Sequence, residues 1–379
     1  MQRTVLFIFG TRPEAIKLAP LVLLLKRFKD RYLVKVCVTA QHRGMLDQVL
    51  GAFDIAPDYD LDLMTPGQTL FQSASRTIGA LERIFAEAAP HLAVVQGDTT
   101  TTFCGALAAF YARVPVAHVE AGLRTGDPGQ PFPEELNRVL ASRLATLHFA
   151  PTAKAAENLA REGVAGRISV TGNTGIDAVL YVRDRIESGE LAVDGSRFEF
   201  PGKKLVVVTA HRRESFGDGF DRICQALVRI ADRDDVRLVY PVHPNPTVQD
   251  AADRHLREHP HILLAEPLDY VPFVDLMRRA QIILTDSGGI QEEGPSLGKP
   301  ILVLREKTER PEAVEAGTVR LVGTDVDLIV RETAALLDDP GALERMSRIH
   351  NPYGDGHASE KIEAGLQEFF ASSRSASVR

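Results

Sequence analysis

The sequence predicts an α/β protein made of two doubly wound parallel-sheet domains. Three observations lead there. At 379 residues, the chain exceeds the roughly 250–300 at which a single hydrophobic core stops growing. Short β-branched runs alternate with stretches of helical length, the pattern of βαβ units. The alternation weakens once, over residues 172–202, and then resumes, so two sheets are expected rather than one.

In the first half, strands are expected at 4–9, 34–39, 92–96, 116–119 and 148–150, each followed by a helical segment. In the second half they are expected at 205–209, 237–240, 262–264, 282–284 and 301–304. These runs are almost continuously apolar, as in sheets covered on both faces. The predicted domains are 1–171 and 172–358, facing each other across a cleft, with a tail that frays over the last few residues.

Composition removes several function classes. Hydrophobic residues at 44% and charged residues at 25% are ordinary for a globular protein and exclude disordered, collagen-like or coiled-coil descriptions. The net charge of −7 comes from interspersed signs, so the basic stripe of a nucleic-acid binder is missing and no nucleic acid is expected as partner. The apolar run 18–25 holds Pro20 and stops at Lys26 and Arg27, short of the roughly 20 residues a membrane span needs. The opening residues lead straight into a strand without a signal-peptide pattern, which predicts a cytoplasmic protein. Cys37, Cys104 and Cys224 are far apart in apolar segments and read as reduced packing residues.

In parallel sheets, ligands bind beyond the carboxyl ends of the strands. Those ends are unusually polar here: Gly10-Thr11-Arg12-Pro13-Glu14, Gly97-Asp98 and Glu120-Ala121-Gly122 in the first half; His211-Arg212-Arg213-Glu214, His243 and Asp286-Ser287-Gly288-Gly289 in the second. Ser287-Gly288-Gly289 leads from a strand into a helix, where small residues let backbone N–H groups approach a phosphate. The same residues also suit an ordinary strand-to-helix turn. Arg12, His211 and Arg310, also after strands, would add the charge-assisted donors that a diphosphate requires.

Asp98, Glu120 and Glu134 form a carboxylate set able to divide acid and base roles, because like charges held close drive their pKa values apart. Plainer readings exist for two of them. Glu134 and Arg138 have the i, i+4 spacing of a solvated ion pair, and Asp98 is placed to cap the helix that follows. Lys17 either reaches an anion or snorkels from a helix face. No histidine has metal-site spacing, so no metal is expected. A serine-hydrolase elbow and a dinucleotide fingerprint are absent as well, so no nicotinamide cofactor is expected.

Seven blocks in order, Phe9-Gly10-Thr11-Arg12-Pro13-Glu14-Ala15-Ile16-Lys17, Thr39-Ala40-Gln41-His42-Arg43, Val95-Gln96-Gly97-Asp98-Thr99, His118-Val119-Glu120-Ala121-Gly122-Leu123-Arg124, Phe132-Pro133-Glu134-Glu135-Leu136-Asn137-Arg138, Thr209-Ala210-His211-Arg212-Arg213-Glu214 and Thr285-Asp286-Ser287-Gly288-Gly289-Ile290-Gln291-Glu292-Glu293, closely resemble the bacterial non-hydrolysing UDP-N-acetylglucosamine 2-epimerases. The likeness covers nearly the whole chain. It implies a GT-B-like pair of Rossmann-like domains, UDP held mainly by the C-terminal half, and a final helix over about 359–379 crossing back to the first domain.

By motif position the resemblance implies catalytic roles for Asp98, Glu120, Glu134 and His211. It implies substrate contacts from Arg12, Lys17, Arg138, Phe273, Ser287, Gly288, Gly289, Glu293 and Arg310, with Glu293 at the ribose hydroxyls. Leu268 stands where some relatives carry glutamine near the uracil. A C2 proton that is not adjacent to a carbonyl is hard to abstract unless UDP leaves C1, so the expected route is anti elimination to a 2-acetamidoglucal and re-addition. No cofactor is implied, UDP-N-acetylglucosamine and UDP are the implied ligands, and a homodimer is expected. The alternatives are a hydrolysing epimerase, a GT-B glycosyltransferase and a silent sugar-nucleotide sensor. Some relatives need a second substrate molecule, and Gln41, Glu135, Arg212 and His243 match parts of that regulatory site. Gly44 and Gly67 replace two of its longer side chains.

Overall fold

A computed structural model describes residues 2–39, 43–65 and 67–376. The chain is α/β, with two parallel sheets in two compact units, 1–178 together with 353–379, and 179–352. In the first unit β1 (Arg3–Phe9), β2 (Tyr32–Val38), β3 (Tyr59–Asp60), β4 (Leu92–Gln96), β5 (Val116–Val119), β6 (Leu147–Ala150) and β7 (Arg167–Val170) lie in the order β3-β2-β1-β4-β5-β6-β7. In the second, β8 (Lys204–Thr209), β9 (Val236–Pro241), β10 (Ile262–Ala265), β11 (Ile282–Thr285), β12 (Ile301–Val303) and β13 (Val319–Leu321) lie in the order β10-β9-β8-β11-β12-β13. Every recorded pairing is parallel.

Both sheets reverse their strand order once, between β1 and β4 and between β8 and β11. Such switch points leave room beyond the strand ends for a ligand. The central strands are apolar because helices cover both faces: Val5 to Phe9 on β1 and Val206 to Val208 on β8 are almost entirely buried.

Three strands, β3, β7 and β13, were not expected. All are sheet edges, which need little apolar sequence: β3 has two residues, β7 begins with exposed Arg167, and β13 carries exposed Arg320 at its centre. The unit division falls after Ala178 and before Tyr353, not at 171/172 and 358/359. The reason is local bonding. Asn173 N donates to the Tyr353 carbonyl at 2.8 Å, and the Asp177 carboxylate accepts from Ala358 N at 3.2 Å and Ser359 N at 2.7 Å. The first turn of the helix Thr174–Glu187 is thereby tied to the first unit.

The final helix, Ala358–Ala376, packs against the helix Arg12–Arg27. Its buried Glu363 accepts from Tyr32 Oη and Arg31 Nη1, each at 3.0 Å. Cys37, Cys104 and Cys224 are buried and unpaired in disulfides. Among the described residues, no helix is long and apolar enough to cross a membrane.

Candidate active site

The first unit gathers its polar strand ends around the β1/β4 switch. Glu14, in the first turn of the helix Arg12–Arg27, is fully buried, and its Oε2 accepts from Gly10 N at 3.0 Å and Thr11 N at 2.8 Å. Its Oε1 accepts from the Thr99 hydroxyl at 2.7 Å. Burial pushes the Glu14 carboxyl above its usual range against the pull of these donors. The β1 loop, with half-buried Arg12, is thus tied to the β4 loop, with Asp98. Arg12 forms no ion pair with a described residue.

Asp98 does not cap the helix Thr100–Tyr111. Thr99 does, its hydroxyl accepting from Thr102 N at 3.1 Å. The Asp98 carboxylate instead accepts from Arg138 Nη2, and its carbonyl accepts from Asn137 Nδ2 at 3.0 Å. Glu134 opens the same helix, Glu134–Leu144, half-buried and with no side-chain partner among the described residues. The i, i+4 pair with Arg138 is therefore not formed. Arg138 reaches Asp98 and, at 3.4 Å, Glu135.

Glu120 follows β5 with φ at +62°, a left-handed conformation costly for a residue with a side chain. That turn aims its carboxylate back over the strand ends, where Lys17 Nζ donates at 2.5 Å and Gln96 Nε2 at 2.6 Å. Lys17 therefore pairs with a carboxylate rather than snorkelling. Asp98 and Glu120 end adjacent strands, each joined to a cation.

In the second unit, the fully buried Asp286 organises the β8/β11 switch. Its Oδ2 accepts from His211 N at 2.6 Å and Arg212 N at 2.7 Å, and His211 Nδ1 lies 3.3 Å from Oδ1. The His211 ring stacks on His243 with centroids 5.0 Å apart and planes 7° from parallel. Burial pulls His211 below its usual pKa; Asp286 opposes this, while His243 and Arg212 add to it.

Ser287 stands at the start of the short helix Gly288–Glu293. A Cβ on Gly288 would lie 3.6 Å from Arg310 Nη2 and 4.0 Å from Arg212 Nη2, so two guanidinium groups flank that backbone. Arg310 is held by Glu292 through its Nε. A Cβ on Gly289 would lie 3.9 Å from Glu293 Oε1 and 4.0 Å from the Ser287 hydroxyl. Phe273 is half-buried on the helix Tyr270–Arg279. Donors suited to a diphosphate are thus collected at the ends of the adjacent strands β8, β11 and β12.

Of the regulatory set, Gln41 lies outside the described residues. Glu135 is buried and accepts from Thr125 N and Gly126 N, each at 3.0 Å, so its carboxylate shapes a loop. His243 is exposed and Arg212 half-buried.

Sequence reasoning missed Glu14, Gln96 and Asp286 as organisers. Glu14 was readable, since Thr11-Arg12-Pro13-Glu14 has the capping-box spacing. Nothing in the sequence marks the left-handed turn at Glu120. Among the described residues, no cluster of three or more His, Cys, Asp or Glu side chains is placed to hold a metal ion.

The two sheets and their strand-end chemistry define the class first: this is a GT-B-like α/β protein of the epimerase type. A UDP-N-acetylglucosamine 2-epimerase from Neisseria meningitidis, solved bound to UDP-N-acetylglucosamine, superposes with a TM-score of 0.87 at 45% identity, covering 96% of this chain and 100% of that one. The enzyme of Methanocaldococcus jannaschii, solved with UDP-N-acetylglucosamine and UDP, gives 0.76 at 31% identity over 96% and 99%. The Escherichia coli K12 UDP-N-acetylglucosamine 2-epimerase is 56% identical over 371 residues, 96% of this chain and 98% of that one. The family model for UDP-N-acetylglucosamine 2-epimerase matches residues 26–367, and the chain belongs to that family.

Proposed function

We propose that this chain interconverts UDP-N-acetylglucosamine and UDP-N-acetylmannosamine without hydrolysis, in the cytoplasm, as a supply for cell-surface polysaccharide. The observation that carries this reading is the pair of carboxylates, Asp98 and Glu120, ending adjacent strands with a cation on each. A chain that only bound a diphosphate would gain nothing from negative charges so placed.

The proton leaves C2 as the C1–O bond to UDP breaks, giving 2-acetamidoglucal and UDP. UDP then returns to C1 while a proton reaches the opposite face of C2. Asp98, Glu120 and Glu134 supply base and acid, and Arg138 and Lys17 fix the first two. Arg12, His211, Arg310 and the Ser287-Gly288-Gly289 amides stabilise charge on the departing diphosphate. Glu293, beside Ser287 and Gly289, holds the ribose hydroxyls, Phe273 contacts the substrate, and Leu268 offers its backbone where some relatives place a glutamine near the uracil.

Purified protein given UDP-N-acetylglucosamine in heavy water, without metal or nicotinamide, is expected to form the C2 epimer with deuterium at C2, read by NMR. Free N-acetylmannosamine in proportion to UDP would show hydrolysis. Inertness in the absence of an acceptor would favour a transferase or a sensor.

The quaternary state belongs to the same reading, a homodimer, supported by the exposure of Phe71, Phe110 and Tyr111 on the paired helices Leu70–Ala88 and Thr100–Tyr111. Sedimentation at twice the chain mass is expected. For regulation, Gly44 and Gly67 offer no side chain to a second substrate molecule, and one lost charged hydrogen bond weakens binding roughly 10- to 150-fold. The reverse reaction from pure UDP-N-acetylmannosamine is accordingly expected to depend only weakly on added UDP-N-acetylglucosamine. A lag abolished by micromolar amounts would refute that.

A further inference from the structure

One buried titratable ring beneath the two carboxylates has no part in the steps above. His118 is fully buried on β5, and its Nε2 lies 2.7 Å from the Gly97 carbonyl oxygen. A carbonyl only accepts, so Nε2 carries the proton. The other nitrogen, Nδ1, is buried and has no hydrogen-bond partner among the described residues. The Gly97 N–H meanwhile donates to the Val119 carbonyl at 3.0 Å.

Both polar groups of Gly97 are therefore held by consecutive residues of β5. The next residue in each case is a carboxylate: Asp98 after Gly97, just past β4, and Glu120 after Val119, the last residue of β5. Gly97 turns at φ +71°, which glycine adopts without steric cost but which leaves the direction of Asp98 to its hydrogen bonds, and Glu120 turns at φ +62°, a strained conformation for a residue with a side chain. A leucine or phenylalanine would fill the space without burying an unpaired nitrogen. What the imidazole adds is the donor.

We propose that His118 is a positioning residue, whose bond from Nε2 to the Gly97 carbonyl sets the placement of Asp98 relative to Glu120. The proposal rests on the reading of those two groups as the acid–base set. Misplacing a reacting group by about 1 Å costs on the order of 100-fold in rate.

The test compares His118→Leu, His118→Gln and His118→Asn with the parent chain for kcat, KM, UDP affinity and thermal midpoint. The Gln amide reaches about as far as Nε2, and the Asn amide falls short. His118→Leu and His118→Asn are expected to lose roughly 10- to 100-fold in kcat, with KM and UDP affinity within about threefold of the parent, while Gln restores most of the turnover. The thermal midpoint of the Leu variant should equal or exceed that of the parent. Turnover of the Leu variant within about threefold of the parent overturns the proposal, as does a loss of kcat that follows a fallen midpoint in all three variants. Should the Leu variant not fold, the Gln and Asn pair decides: equal kcat in those two is fatal to the idea. A parent chain that is itself inactive refutes the epimerase reading instead.

Discussion

At the scale of single residues, position and partner decide what a carboxylate does. Asp98, Glu120 and Asp286 follow strand ends and Glu14 sits in the first turn of the helix after β1, yet Glu14 and Asp286 are buried and bonded to backbone N–H groups while Asp98 and Glu120 face side-chain cations. The first two shape loops, and the second two are the groups proposed above to carry the acid–base chemistry. Asp98→Asn and Glu120→Gln keep the shape and remove the proton-carrying function. Each is expected to lose about 100-fold or more in turnover with substrate binding retained, since such groups contribute roughly 10²–10⁴-fold. Steady-state kinetics alongside calorimetric binding would check it; normal turnover in both variants would reduce them to structural groups. His118 also makes the fold less stable in acid. Burial pushes its imidazole down to about 3 from an ordinary 6.5, so the unfolded chain takes up the proton first. This contribution is present above about pH 6.5 and falls, by at most about 1.4 kcal/mol per pH unit, as the pH drops toward 3. Thermal midpoints between pH 7 and 5 should decline more steeply for the parent than for His118→Leu.

At the scale of elements, the informative parts are where strands stop. The interiors of β1, β4, β8 and β11 are apolar runs that any parallel sheet would accept, and β5 departs from that only at His118, while the strand ends turn abruptly. After Glu120 the chain makes a second tight turn at Gly122, with φ at +95°. A Cβ there would meet the Ala155 carbonyl oxygen at 2.2 Å. Gly122→Ala therefore combines backbone strain with a collision against the helix Ala153–Arg161, at an expected cost of about 2–5 kcal/mol. Denaturant unfolding would measure it, and a change below about 1 kcal/mol would mean that the helix yields. The same helix is bonded to this turn through Asn158 Nδ2 and the Gly122 carbonyl, 3.0 Å apart, which leaves it little freedom to move.

At the scale of the whole molecule, the chain ends in the unit where it began. The helix Ala358–Ala376 lies on the helix that carries Arg12 and Lys17, and Glu363 joins Tyr32, Arg31 and Gln367 there. Glu363→Ala leaves the buried Tyr32 hydroxyl without its acceptor and takes one carboxylate from Arg31, costing about 1–3 kcal/mol. A chain of two units need not unfold in one step, so the measurement of choice is hydrogen exchange. Faster exchange is expected at the β1 and β2 amides, with those of β8 and β9 unchanged; uniform acceleration would show that the helix stabilises both units alike.

The sequence by itself determined the α/β class, two sheets, the interior strands, the polar strand ends and, through seven ordered blocks, the resemblance to the epimerases. These are properties of neighbouring residues: apolar runs, breaks, and short motifs that keep their spacing. Only the tertiary structure decided the rest. Edge strands β3, β7 and β13 carry too little apolar sequence to announce themselves, because pairing along one side holds them. The partner of Arg138 is Asp98, 40 positions away, rather than Glu134 on the same helix. Lys17 meets Glu120 across 103 positions, and the Glu120 turn is a strained conformation with no sequence signal. Ion pairs and strained turns are set by which strand ends the sheet order brings side by side. That order follows from how the helices pack over both faces, a long-range outcome that residue spacing does not encode.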